Sequence, residues 1–283
     1  MNTQRENATT SDEKLPSQIL VALSSLDAGT ASEIQAILVA LVTGMKHVLG
    51  NQLVGLYLTG SLSYGDFDVL SSDIDFITII SSPLTDSQRK DLAEMHDRVG
   101  KLYPKWKKRI DGSYLTVDML TSTDPPKEAR PFVNGGEFRK PDPVYGYNWA
   151  PDMYNLRNHG LALYGPEPKK VFPNVDMEMV AEATLKDLNG RWAETAKKPK
   201  PFEREGYDSS HLQAYAVVTM CRLLRNIKLR SMSSKKVAAT WAKQEYPEWK
   251  NLIEIAEMWQ VGQVLHEEER AKNFILFTIN ELS

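Results

Sequence analysis

Cysteine is all but missing from this chain. One thiol, Cys221, in 283 residues excludes a disulfide framework and a cysteine-type zinc site, and it points to a reducing compartment, most simply the cytoplasm. The five histidines, at 47, 96, 159, 211 and 266, show no metal-ligand spacing and are expected to be structural or exposed. A basic surplus is missing too. Lys and Arg number 34 against 37 Asp and Glu, a formal charge of −3, which argues against bulk nucleic-acid binding. No apolar run is expected to reach bilayer-spanning length. The polar start MNTQRENATTSDEKLPSQ has no apolar signal core and reads as a short disordered arm. Internal repeats and low-complexity tracts are absent as well.

What remains is a globular composition, 42% hydrophobic and 25% charged, in a chain long enough for two domains. Ile34, Leu38, Leu41, Val42 and Met45 follow helical spacing after capping residues. LVGLYLTG, 53–60, is a short apolar run ending at glycine, expected as a strand. Residues 61–66 form a tight turn, DIDFITII a second strand, and the stretch capped by Thr85 or Asp86 a helix. DGSYLTVDML, 111–120, reads as a third strand. The order strand, turn, strand, helix, strand makes a small α/β sheet domain. A Pro- and Gly-rich loop covers 123–151, and PDMYNLRNHGLAL returns to helix. The segment 164–175, with three prolines and a glycine, marks a domain boundary, after which the pattern is helical almost throughout, as in a helical bundle.

The chemistry concentrates in LTGSLSYGDFDVLSSDIDFITII, 58–80. Asp73 and Asp75, one residue apart at a strand mouth, point to the same face and repel each other unless a cation sits between them. Magnesium meets that demand with carboxylate and nucleotide phosphate oxygens. Gly60 allows close backbone approach, and Ser61 offers a hydroxyl and an N–H to phosphate. Asp111, at the start of the third strand, is the best third carboxylate for a site of one or two metals. Asp118 is its rival, odd-spaced on that strand and facing the other way. Asp66 and Asp68 form a competing D-x-D in a turn and are expected to be solvated. Gly60 and Gly65 have the spacing of a phosphate loop, but Asp66 stands where that loop needs lysine. No dinucleotide fingerprint is present either.

Gly60-Ser61 followed by Asp73-Ile74-Asp75 before an apolar strand resembles the signature of polymerase-beta-like nucleotidyltransferases. Arg109-Ile110-Asp111-Gly112-Ser113-Tyr114, LYGPEP at 163–168, and AYAVVTMCRLLRNIKLRSMSSKKVAATWAKQEYP at 214–247 resemble the aminoglycoside adenylyltransferases of the streptomycin/spectinomycin type, in order over roughly residues 35–280. The resemblance implies an arm and leading helix at 1–28, a nucleotidyltransferase domain at 29–165, a helical C-terminal domain at 166–283, and a ligand cleft between the two domains. It implies magnesium- and ATP-dependent transfer of AMP to a hydroxyl of a small cationic acceptor. Asp73 and Asp75 would hold metal. Asp111 would hold metal and stand where the family has a glutamate base. Arg222 and Lys235 would reach ATP phosphates, and Trp149 and Asp208 would lie near the acceptor.

Plainer readings compete. Asp111 could be a solvated strand start. Arg222 could lie on a solvated helix face, and Ser233-Ser234-Lys235-Lys236 could be a helix N-terminus. Trp149, Tyr145 and Tyr147 could be packing aromatics, and KWKKR, 105–109, a solvated basic face. Cys221 is expected as a buried small hydrophobe. A protein or RNA acceptor, or a nucleotide-binding relative without turnover, are the alternatives to small-molecule transfer. A monomer without membrane or bulk nucleic-acid partners is expected.

Overall fold

The computed structural model describes residues 15–140, 142–204 and 208–283. Residues 1–14 of the expected arm, and residues 205–207 in the EGYDSS stretch, lie outside the described residues. The end of that arm is not loose. Ser17–Leu23 forms helix α1, and Leu15, Ile19 and Leu23 are buried, with Gln18 donating to the carbonyl of Ala162.

Helix α2 spans Ala28–Leu49 and is capped by Asp27, whose carboxylate accepts the Thr30 N–H at 2.9 Å. Its apolar residues recur three and four apart, so Ile34, Leu38, Leu41, Val42 and Met45 share one buried face. By length and composition the stretch from Ala28 to Gln52 could cross a membrane, contrary to the expectation from sequence. In the fold, its apolar stripe is packed in the core against the sheet and a neighbouring helix.

Among the described residues, six strands lie between residues 53 and 164 and form one sheet: β1 Leu53–Thr59, β2 Ile74–Ile80, β3 Ile110–Thr116, β4 Phe132–Asn134, β5 Glu137–Arg139 and β6 Leu161–Tyr164. Their spatial order is β5-β4-β3-β2-β1-β6, with β2 and β3 parallel and every other pair antiparallel. A single helical turn, α3 (Gly60–Tyr64), follows β1, and α4 (Asp86–Leu102) carries the chain from β2 to the parallel β3. Thr85 and Gln88 cap α4 reciprocally.

The period of two splits the sheet's side chains cleanly. Ile74, Phe76, Ile80, Ile110 and Tyr114 pack with α2 and α4. Tyr57, Ile77, Ile79 and Leu115 face the other way, with Trp149, Met153 and Leu156 of α5 (Trp149–His159). Asp75 and Asp111 share the parity of this second face.

The structure corrects several local expectations. The third strand stops at Thr116, and Val117–Leu120 is a 3-10 turn, so Asp118 is not on the strand and the face argument for it lapses. The 123–151 loop contains the β4–β5 hairpin. Its Asn-Gly-Gly turn is a strong hairpin signal, and Gly135 and Gly136 both have positive φ, 59° and 74°. Leu161–Tyr164, expected as helix, is a strand because β1 offers its free edge.

Among the described residues that follow, the regular elements are helices: α6 (Pro168–Val171), α7 (Met177–Asp187), α8 (Ala193–Lys197), α9 (Ser209–Lys228), α10 (Lys235–Glu245), α11 (Lys250–Met258) and α12 (Glu268–Leu282). A π-type turn at Leu188–Trp192 joins α7 to α8. Trp192, Val217, Met220, Leu224, Ile253 and Phe274 belong to a hydrophobic core separate from those of the sheet. The 164–175 segment is packed down, with the Phe172 ring edge-on to Tyr57 at 4.9 Å.

Candidate active site

The turn after β1 is built around glycine. Gly60 has φ +66°, and a Cβ there would lie 2.2 Å from Oδ2 of Asp75, so only glycine lets the turn and the carboxylate come this close. Gly65, at φ +70°, ends α3. Its N–H donates to Leu62, and the Asp66 N–H donates back to the Ser61 carbonyl at 3.0 Å, a paired closure typical of a left-handed helix end.

Three carboxylates meet beside this turn. Asp75 is the in-register neighbour of Asp111 across the parallel β2–β3 pair, and it lies opposite Thr59 across β1–β2. Adjacent in-register residues point to the same face. Asp73 shares that parity just before β2. Burial carries the Asp75 carboxyl up to about 7, and the charges of Asp73 and Asp111 push the same way. Asp111 is raised to about 6, chiefly by burial, against the pull of a hydrogen bond. That bond is donated by the Gly135 N–H to Oδ1 at 2.6 Å, so the hairpin turn holds the carboxylate. A Cβ on Gly136 would sit 1.9 Å from the Lys107 carbonyl oxygen, which makes glycine obligatory in that turn. Asp73 is also raised by burial, with Arg109 at 3.9 Å as the first opposing charge.

Cations arrive from the helices beyond residue 200. Lys235 opens α10. Its ammonium is held below its ordinary range by burial and then by Arg222, while Asp75 and Asp73 favour its charge. Arg222 lies on α9, and its buried Nε has no hydrogen-bond partner among the described residues. The field of Arg222 reaches Tyr64 of α3, whose hydroxyl is nevertheless carried to about 12 by burial. Sheet carboxylates, the glycine turn and two helix cations therefore lie within electrostatic reach of one another.

Asp152 was missed from the sequence. In the first turn of α5 it looks like a helix-start acid, yet burial raises it to about 6 against Arg222 and Arg130, and it adds to the negative field at Asp75. No local signal reveals partners that lie 22 and 70 residues away.

The remaining candidates are scattered. Asp208 caps α9 through the Ser210 N–H and is exposed. Trp149 is fully buried, edge-on to Tyr145 at 5.0 Å, with its indole N–H unpartnered among the described residues. Tyr145 is buried beneath Arg130, while Tyr147 is exposed. Cys221 is buried, its thiol carried to about 12. Two expectations of solvation fail. Arg109, the last residue of KWKKR, donates to the carbonyls of Val69 and Ser72 and lies over the Trp106 ring. Asp66 accepts a hydrogen bond from the Ser234 hydroxyl. Asp68 is exposed and caps its own turn at Leu70.

The donor chemistry suits a hard cation. Oxygen ligands dominate, and like-charge crowding raises Asp75. Even so, no three acidic, His or Cys side chains stand close enough to hold a metal among the described residues.

Known proteins resemble this chain in sequence and in fold. Residues 170–280 match the family described as "Aminoglycoside adenylyltransferase, C-terminal domain". Spectinomycin 9-adenylyltransferase of Staphylococcus aureus, strains Mu50 and N315 included, is 25% identical over 233 residues, covering 77% of this chain and 82% of that protein. The crystal structure of spectinomycin adenyltransferase AAD(9) from Enterococcus faecialis with ATP and spectinomycin superposes with a TM-score of 0.65 at 17% identity, over 86% of this chain and 96% of that one. The resemblance to aminoglycoside adenylyltransferases read from the sequence holds over most of the chain.

Proposed function

We propose that this chain is a magnesium-dependent nucleotidyltransferase that moves AMP from ATP to a hydroxyl of a small cationic acceptor, with spectinomycin and streptomycin the first to test. The observation that carries the reading is the in-register pair Asp75–Asp111, with Asp73 beside it, in the field of Lys235, which itself feels Arg222. We take residues 29–165 as the nucleotidyltransferase domain and 166–283 as the helical domain, with 1–28 as arm and leading helix. The protein would work as a monomer in the cytoplasm, where ATP is available.

Asp73 and Asp75, with Asp111, would hold magnesium, which when bound neutralises and polarises the triphosphate. The Ser61 N–H and hydroxyl, Lys235 and Arg222 bind phosphate oxygens, and the unpartnered Arg222 Nε supplies a donor free to do so. Oδ1 of Asp111 is occupied by the Gly135 N–H, leaving Oδ2 to take the acceptor's proton. A carboxyl raised to about 6 is a stronger base than an ordinary one. The acceptor oxygen bonds to the α-phosphorus as the bond from that phosphorus to the bridging oxygen of the β-phosphate breaks. The proton passes to Asp111, and pyrophosphate leaves. Positioning and electrostatics provide most of the rate. Asp208, exposed at the start of α9, is available to an acceptor cation. Trp149 would reach one only after a movement of α5.

The test is pyrophosphate release from ATP with magnesium across an aminoglycoside panel, with Asp73→Asn plus Asp75→Asn as control. Release that depends on one compound and is lost in the control is the expected result. ATP binding without release on any acceptor would favour a non-catalytic nucleotide-binding relative. No ATP binding would overturn the proposal.

A further inference from the structure

Asp66 lies outside the carboxylate cluster, yet it touches both walls of the cleft. Its backbone N–H donates to the Ser61 carbonyl at 3.0 Å, closing the turn that bears Ser61. Its side-chain Oδ2 accepts the hydroxyl hydrogen of Ser234, 168 residues away in sequence. The same Ser234 oxygen accepts the Val237 N–H at 3.2 Å and so caps α10, whose first residue is Lys235. Next to it, the Ser233 hydroxyl donates to the Asn226 side chain at 3.4 Å, one helical turn beyond Arg222 on α9. Asn226 and Ser233 are buried, and Met232 in the same loop packs in the cluster on the sheet's second face. Hydrogen bonds thus join the glycine turn through Asp66 and Ser234 to the start of α10, where Lys235 stands.

We propose that Asp66 is a positioning residue for nucleotide binding: through Ser234 it fixes the distance between the Ser61 turn and Lys235, so that both meet one triphosphate. The inference rests on the nucleotidyltransferase reading above. A side-chain acceptor bound to a helix cap sets where the first turn of that helix begins, and displacing a phosphate-binding group by about 1 Å is costly to binding and turnover. Asp66 itself touches no reacting atom. Its effect therefore belongs to the ATP term and not to acceptor recognition.

The test measures Kd for ATP with magnesium by calorimetry, and KM for ATP and acceptor with kcat, in wild type, Asp66→Ala, Ser234→Ala, the double variant and Asp66→Asn. Melting temperatures confirm that each variant folds. The latch predicts that Asp66→Ala and Ser234→Ala each weaken ATP about tenfold, with a smaller change in kcat and none in acceptor KM. The double variant should be no worse than either single one, because the two share one interaction. Asp66→Asn, whose amide oxygen can still accept from Ser234, should restore most of the affinity. Equal ATP Kd in wild type and Asp66→Ala, additive losses in the double variant, or a loss confined to acceptor KM would overturn the latch and leave the functional reading standing. A folded wild type that binds no ATP would overturn both.

Discussion

Replacing Asp75 by asparagine should stabilise the ligand-free protein above neutral pH while abolishing its activity. Asp75 is squeezed between burial and two neighbouring carboxylates, which together move its titration from 3.8 to about 7. At about 1.4 kcal/mol per pH unit, the ionised form costs the native state roughly 4 kcal/mol at most. Asparagine removes the charge but keeps a buried amide that costs roughly 1–2 kcal/mol. A net gain of about 2 kcal/mol is expected, which for a chain of this size is about 4–8 °C in melting temperature. The pH dependence follows from the raised value. Between 3.8 and about 7 the native carboxyl keeps a proton that the unfolded one has lost, so the stability this group lends is full below 3.8 and declines as pH rises through 7. The asparagine variant should therefore melt higher than wild type at pH 8.5 and nearly level with it at pH 5, where wild-type Asp75 is already neutral. Thermal unfolding of metal-free protein at the two pH values decides the matter. An equal shift at both, or a lower melting temperature at pH 8.5, would refute the claim that crowding by Asp73 and Asp111 is a native-state cost.

Two other perturbations bear on the scaffold. Gly136→Ala combines φ +74° with a contact of 1.9 Å to the Lys107 carbonyl, whereas Gly135→Ala at φ +59° meets only the Lys108 carbonyl at 3.8 Å. The former should destabilise by at least about 2 kcal/mol and lower turnover by moving the Gly135 N–H off Asp111, and the latter should cost about 1 kcal/mol; urea unfolding and steady-state rates check both. His96, buried behind the sheet with Nε2 at 2.7 Å from the Tyr114 hydroxyl, is carried down to about 3 by burial. Its contribution is present above 6.5 and fades as pH falls toward 3, so His96→Gln should flatten the acid limb of stability between pH 6 and 4 in urea midpoints.

Much of the sheet half was legible because its signals are local. The D-x-D pair, the Gly-Ser turn, the Thr85 cap and the helical stripe of α2 all express short-range rules. The hairpin was missed although Asn134-Gly135-Gly136 has the residues that a two-residue turn demands, because the prolines around it suggested a loop. Leu161–Tyr164 was not legible: four residues carry no period, and only the free edge of β1 decides their conformation. Asp66, Arg109 and Asp152 were misread or missed for one reason. Each is a charged residue in a local setting that reads as solvated, and its partners come from distant parts of the chain.

That pattern explains why the cleft lies where the two kinds of structure meet. The starts of two central strands alone gather Asp73, Asp75 and Asp111, a set so crowded that burial and its neighbours carry Asp75 up to about 7. The helices alone bring Arg222 close enough to Lys235 to lower the tendency of that ammonium to hold its charge. Each cluster is unfavourable by itself, and each is eased by the other: Lys235 favours ionised Asp75, and Asp75 favours charged Lys235. A polyanion with its counter-cation bound in the cleft would satisfy both sets at once, cations on phosphate and carboxylates on metal. The native state thus carries an electrostatic cost that, on the proposed reading, ligand binding would relieve, and a rule broken locally without compensation elsewhere is the usual mark of a functional site. It follows that nucleotide with magnesium should raise the melting temperature of wild type more at pH 8.5 than at pH 5, and should raise that of Asp75→Asn less than that of wild type at the higher pH.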